Sequence, residues 1–137
     1  MIEYNNMLDI KLENLVNKIT QKYGLELILL FGSKADGTAH KESDFDVAYL
    51  SKKNLTLEDE ARLIIELAPV FGSENIDLVN LKKTPPLLFY AIFDKCQVLH
   101  AVNPLIFPSL RAYAFKKYVE TKPLYEEKFR RLQAQIS

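Results

Sequence analysis

The chain has 137 residues, 48% of them hydrophobic and 26% charged, with eighteen basic and eighteen acidic side chains. That length suits one domain with a real core, and the apolar share excludes a disordered chain. The charge balance removes any overall pull towards polyanions, so a phosphate or nucleic-acid site would have to be local.

Cys96 is the single cysteine, so no intrachain disulfide can form, and a reducing, cytoplasmic setting fits. The opening stretch MIEYNNMLDIKLEN lacks the basic and apolar regions of a signal peptide. No apolar run, that of Leu27 to Phe31 included, is long enough to span a bilayer. These features describe a soluble intracellular protein.

Leu8, Leu12, Leu15, Val16, Ile19 and Tyr23 fall at helical spacing, with Asn5 or Asn6 to cap the start and Gly24 just past the end. LELILLF (25–31) is β-friendly and apolar throughout, the pattern of a buried strand. Gly32 and Ser33 open a short helix or turn, followed by a polar loop holding Gly37, His40 and Lys41. SDFDVAYL (43–50) predicts a strand with Asp44 and Asp46 on one face and Phe45 and Val47 on the other. Thr56 and Asp59 form a capping-box pattern for a helix over 57–68, with Leu57, Ala61, Ile64 and Ala68 on one face and Pro69 and Gly72 as terminators. NIDLVNL (75–81) predicts a third strand, with Asp77 pointing opposite to Ile76 and Leu78. Thr84-Pro85-Pro86 starts another helix, CQVLHA (96–101) a fourth strand, and Asn103-Pro104 a C-terminal helical region broken or kinked near Pro123. The pattern is a small mixed sheet with helices, of class α/β or α+β.

The triplet Phe-Gly-Ser occurs twice, at 31–33 and at 71–73. The second follows a helix, where Gly72 need only accept a left-handed turn and Ser73 face water. The first follows a strand. A serine-hydrolase elbow is excluded, because Phe31 stands where G-x-S-x-G needs glycine. A P-loop is excluded, because Thr38-Ala39 stands where Lys and Ser/Thr are required. A Gly-Ser turn that receives a triphosphate, with metal held on the next strand, survives. Gly32 lets a phosphate approach the backbone, and the Ser33 hydroxyl and the turn amides are donors. Asp44 and Asp46 on one strand face would stand about 6–7 Å apart, and oxygen-only ligands at that spacing suit Mg²⁺. Asp77 adds a third carboxylate if its strand is a neighbour. A lone D-x-D in a chain this charged is usually a solvated strand face. The combination with the Gly-Ser turn and the later aspartate favours function.

Gly32-Ser33, ten residues, then Asp44-x-Asp46 resembles the signature of the polymerase β-like nucleotidyltransferase superfamily. The short length resembles its minimal members, the MNT antitoxins of type VII-like HEPN/MNT toxin–antitoxin pairs. Lys34 and Asp36 stand where those proteins often carry arginines. The resemblance implies a single minimal nucleotidyltransferase domain over 1–137, with a catalytic core at 1–100 and a helical region at 101–137. It implies Asp44, Asp46 and Asp77 as catalytic residues and ligands of two Mg²⁺ ions, and Gly32, Ser33 and Lys34 as nucleotide-binding residues. It implies transfer of AMP from ATP, with release of pyrophosphate, to a tyrosine of a cognate HEPN ribonuclease toxin. Two alternatives stand beside it: an antitoxin that acts by binding alone, and a transferase with a small-molecule or nucleic-acid acceptor.

Residues 111–131 carry seven basic and three acidic side chains among Tyr113, Phe115, Tyr118, Tyr125 and Phe129. An amphipathic helix with aromatic core contacts explains this better than a nucleic-acid face. His40 reads as an exposed loop residue. His100 has no partner at metal spacing, and Cys96 reads as a small buried hydrophobe.

Overall fold

The structure, a computed structural model, describes residues 7–37 and 44–136. Its elements run α1 (Met7–Tyr23), β1 (Leu25–Phe31), α2 (Ser33–Asp36), β2 (Phe45–Ser51), α3 (Leu57–Phe71), β3 (Ile76–Asn80), a 3₁₀ turn (Leu81–Lys83), α4 (Pro86–Asp94), β4 (Cys96–Ala101) and α5 (Ile106–Ile136). The proposed caps at Asn5 and Asn6, and the loop residues His40 and Lys41, lie outside the described residues.

The four strands form one sheet in the order β3-β2-β1-β4. β1 pairs antiparallel with both β2 and β4, and β2 pairs parallel with β3. A parallel pair needs a long crossover, and α3 supplies it. The expected small mixed sheet flanked by helices is what forms.

Alternation along the strands divides the core. Ile28, Leu30, Val47, Tyr49 and Leu78 face a layer made of α1 and α3. Leu27, Leu29, Ala48 and Val79 face a layer made of α4 and α5. β1 is apolar at nearly every position because both its faces are covered. The sheet therefore has a distinct α1/α3 side and α4/α5 side.

α3 differs from expectation in two ways. It buries Leu63, Leu67 and Val70, whereas Leu57 is exposed. The set 63/67/70 is as regular as 57/61/64/68 and bulkier, so burying it removes more apolar surface from water. The helix also runs through Pro69 to Phe71. Proline there deletes one intrahelical bond near the helix end, and the stop comes at Gly72 (φ 66°), whose N–H donates to the Ala68 carbonyl. Ser73 likewise donates its N–H to Ala68, and its hydroxyl accepts from the Asn75 N–H at 3.0 Å, so it does more than face water.

The capping box at the start of α3 is complete: Asp59 N–H donates to Thr56 Oγ1 at 3.1 Å, and Thr56 N–H to Asp59 Oδ2 at 2.9 Å. Thr56→Ala is expected to lower stability by about 1 kcal/mol, read as a lower urea midpoint with an unchanged m-value.

α5 is continuous through Pro123. Its aromatic contacts with α4 (Phe89 with Tyr113, Tyr90 with Phe115 and Tyr118) stop at Tyr118. Tyr113, Phe115, Tyr125 and Phe129 are all exposed and Tyr118 is only partly buried, so the expected aromatic core contacts are replaced by ring contacts at the surface of the α4–α5 pair. Four of the basic groups are engaged within the helix: Lys117 and Lys122 lie over Tyr113 and Tyr118, and Lys117, Lys122, Arg130 and Arg131 pair with Glu120, Glu126 and Glu127. No helix among the described residues is long and apolar enough to cross a membrane.

Candidate active site

At one end of the sheet the register aligns Asp77 of β3, Asp46 of β2, Phe31 of β1 and Cys96 of β4. The condition set for Asp77 is therefore met: β2 and β3 are neighbours, and Asp46 and Asp77 are paired across them. Both alternate with residues of the α1/α3 side, so both project to the α4/α5 side. Asp44 departs from expectation. β2 begins at Phe45, so Asp44 precedes the strand and is exposed. Its distance from Asp46 is consequently set by the incoming chain and not by the pleat.

Burial raises the Asp46 carboxyl above its ordinary value, and the negative charges of Asp77 and Asp44 raise it further. Asp46 is thus held within electrostatic reach of two other carboxylates, an arrangement that costs stability.

Phe31 ends β1, and Gly32 reverses the chain beside Asp46. Gly32 has φ 75° and ψ −159°, a region essentially confined to glycine. A Cβ there would overlap Asp46 Oδ2 and lie 3.1 Å from its Cγ. Gly32 is needed to let the turn sit against the Asp46 carboxylate.

Ser33 opens the single turn of α2, in which Ala35 N–H donates to the Gly32 carbonyl at 3.1 Å and Gly37 (φ 80°) ends the element. The Lys34 ammonium lies over the Phe45 ring, 4.7 Å from its centroid. Phe45 in turn packs on Phe71, centroids 4.9 Å apart, within the α1/α3 core. Lys34 is thus drawn to the α1/α3 side, whereas Asp46 and Asp77 project from the other. Gln97 Nε2 donates to the Ala35 carbonyl at 3.2 Å and joins α2 to β4.

The donors at this edge are carboxylate oxygens, the hard ligands that magnesium takes, and a cation would offset the repulsion that raises Asp46. The fit is one of donor type and charge. Among the described residues no three carboxylate, imidazole or thiol groups converge on a common centre as they stand.

Two residues escaped sequence reasoning. Gln97 carried a weak signal, as a polar residue second in the largely apolar strand CQVLHA. Phe71 carried none, because its contact with Phe45 is made only by folding. Cys96 is half-buried, its thiol raised by burial. His100 stands further along β4, lowered by burial and partly restored by a backbone hydrogen bond at Leu25.

A mixed four-stranded sheet with a glycine turn against a strand aspartate, and a second aspartate in register, is the layout of a nucleotidyl-transfer fold. The chain belongs to the polymerase beta nucleotidyltransferase family, whose model matches residues 13–104. Within that class, it is 42% identical over 66 residues to the protein adenylyltransferase MntA of Shewanella oneidensis. The match takes in 47% of this chain and 45% of MntA, so the chain spans about half the length of this curated relative. Its structure is similar to a crystallised toxin–antitoxin with AMP-PNP (TM-score 0.67, 25% identity, 85% of this chain and 98% of that one). It shares its fold with the complex of tri-AMPylated Shewanella oneidensis HEPN toxin and MNT antitoxin (TM-score 0.61, 21% identity, 88% of this chain and 98% of that one).

Proposed function

We propose that the chain is a magnesium-dependent protein adenylyltransferase that moves AMP from ATP to a tyrosine hydroxyl of a cognate HEPN ribonuclease toxin and thereby silences it. The observation that carries this is the pairing of Asp46 with Asp77 beside the Gly32 turn. The MntA relative, a protein adenylyltransferase, and the AMP-PNP-bound toxin–antitoxin support the class of reaction and of partner. In this reading residues 1–100 form the catalytic core, 101–137 the helical region, and the protein works in the cytoplasm as part of a hetero-oligomer.

Asp44, Asp46 and Asp77 would hold the magnesium, which when bound neutralises triphosphate charge and lowers the pKa of the acceptor hydroxyl. Gly32 and Ser33 seat the phosphates: the glycine leaves room, and the Ser33 hydroxyl and the turn amides donate to phosphate oxygens. Lys34 assists as a point charge from the same turn. Asp77, at the edge strand, takes the acceptor's proton as the tyrosine oxygen attacks the α-phosphorus. The bond to pyrophosphate breaks as the new P–O bond forms.

Incubation with ATP, Mg²⁺ and the protein encoded beside it should add one or more AMP masses to that neighbour, read by intact-mass spectrometry. An unchanged neighbour mass, with ribonuclease silencing that survives loss of Asp44 and Asp46, would establish the binding-only reading instead.

A further inference from the structure

We infer that Gln97 is a positioning residue for the phosphate turn, through the hydrogen bond from its side-chain amide to the Ala35 carbonyl. This rests on the reading of Gly32–Ser33 as the phosphate seat.

α2 has four residues, too few for a helix to hold its own shape in water. At its start Ala35 N–H donates to the Gly32 carbonyl. What fixes its orientation must come from outside. Ala35 packs against the α1/α3 core, and the Lys34 ammonium sits over Phe45 of β2. Gln97 supplies the corresponding hold from β4, 62 residues away in sequence.

The geometry suits the task. Gln97 pairs with Leu30 in the β1–β4 ladder, two residues before Gly32. Its side chain therefore leaves the sheet next to where the turn begins, on the α1/α3 side that Ala35 also occupies. A glutamine there, among Cys96, Val98 and Leu99, adds nothing apolar to the core. Its amide can donate to a carbonyl, which methionine of the same reach cannot. The turn is thus held between β2 and β4, with the aspartates on the opposite side of the sheet free of this contact.

The test uses the full chain with Gln97→Met and Gln97→Lys, the latter keeping a donor of similar reach. Amide exchange at residues 33–36 and affinity for Mg²⁺–AMP-PNP are measured together. Gln97→Met should speed exchange at the turn several-fold, leave the β1 and β2 amides unchanged, and weaken AMP-PNP about five- to tenfold, the worth of one hydrogen bond. Gln97→Lys should restore most of both. Unchanged turn exchange, or faster turn exchange with unaltered AMP-PNP affinity, overturns the inference. If the wild type itself fails to bind AMP-PNP, the phosphate-seat reading fails. The tether then stands or falls on the exchange data alone.

Discussion

Asp46→Asn is expected to abolish AMP transfer while leaving the protein at least as stable as the wild type. The two effects have one cause. Asp46 is partly buried, and its charge is opposed by burial and by the carboxylates of Asp77 and Asp44. Removing that charge relieves the repulsion, so the unfolding free energy should stay level or rise by a few tenths of a kcal/mol, in keeping with the modest worth of partly exposed charge pairs. The same substitution deletes a hard anionic ligand and leaves a neutral amide, which neither balances a divalent cation nor orders a triphosphate. Loss of one preorganised electrostatic group from an active site costs about 10²–10³ in rate. We expect at least that here, because Asp46 lies closest to the Gly32 turn. Intact-mass kinetics on the toxin and urea unfolding of the same preparation provide the check. Transfer within threefold of wild type would remove Asp46 from the mechanism. A marked loss of stability would show that the carboxylate has structural partners which the fold does not reveal.

The order of elements is legible in the sequence because each carries a local signal: period 3.6 for α1, continuous apolarity for β1, the Thr56–Asp59 capping box for α3, Pro86 at the first turn of α4. What is not legible depends on competition between distant parts. Either of two stripes of α3 could have been buried, and the sheet accepted Leu63, Leu67 and Val70. Pro69 and Pro123 read as breaks, yet each removes a single backbone bond from a helix that other contacts sustain. The site divides in the same way. Gly32, Ser33, Asp44 and Asp46 stand out as a spacing, but the pairing of Asp46 with Asp77 exists only through the parallel β2–β3 ladder. Lys34 looked from sequence like a simple phosphate donor; folding also places it over Phe45. Phe71, in the second Phe-Gly-Ser triplet, packs on Phe45 and so supports β2, the strand that carries Asp46.

The two triplets make a paired experiment, with Gly32→Ala expected to be severe and Gly72→Ala mild. Gly72 has φ 66° and ψ 27°, ordinary left-handed geometry, and a Cβ there meets nothing within 4 Å. Alanine should cost about 1–2 kcal/mol, the left-handed penalty for an L-residue, with transfer per folded molecule unchanged. Gly32 has φ 75° with an extended ψ of −159°, where alanine pays about 1–3 kcal/mol in backbone strain alone. Its Cβ also collides with the Asp46 carboxylate. The collision has two outlets. If the turn moves, the phosphate seat is lost; if the Asp46 side chain rotates, the carboxylate leaves its place beside Asp77. Either outlet should reduce transfer at least a hundredfold, as displacements of about 1 Å at a reacting centre do. Urea midpoints separate strain from catalysis: both variants should be destabilised, and only Gly32→Ala inactive under conditions where both are fully folded. Equal activity in the two folded variants would mean that the first triplet, like the second, only turns the chain.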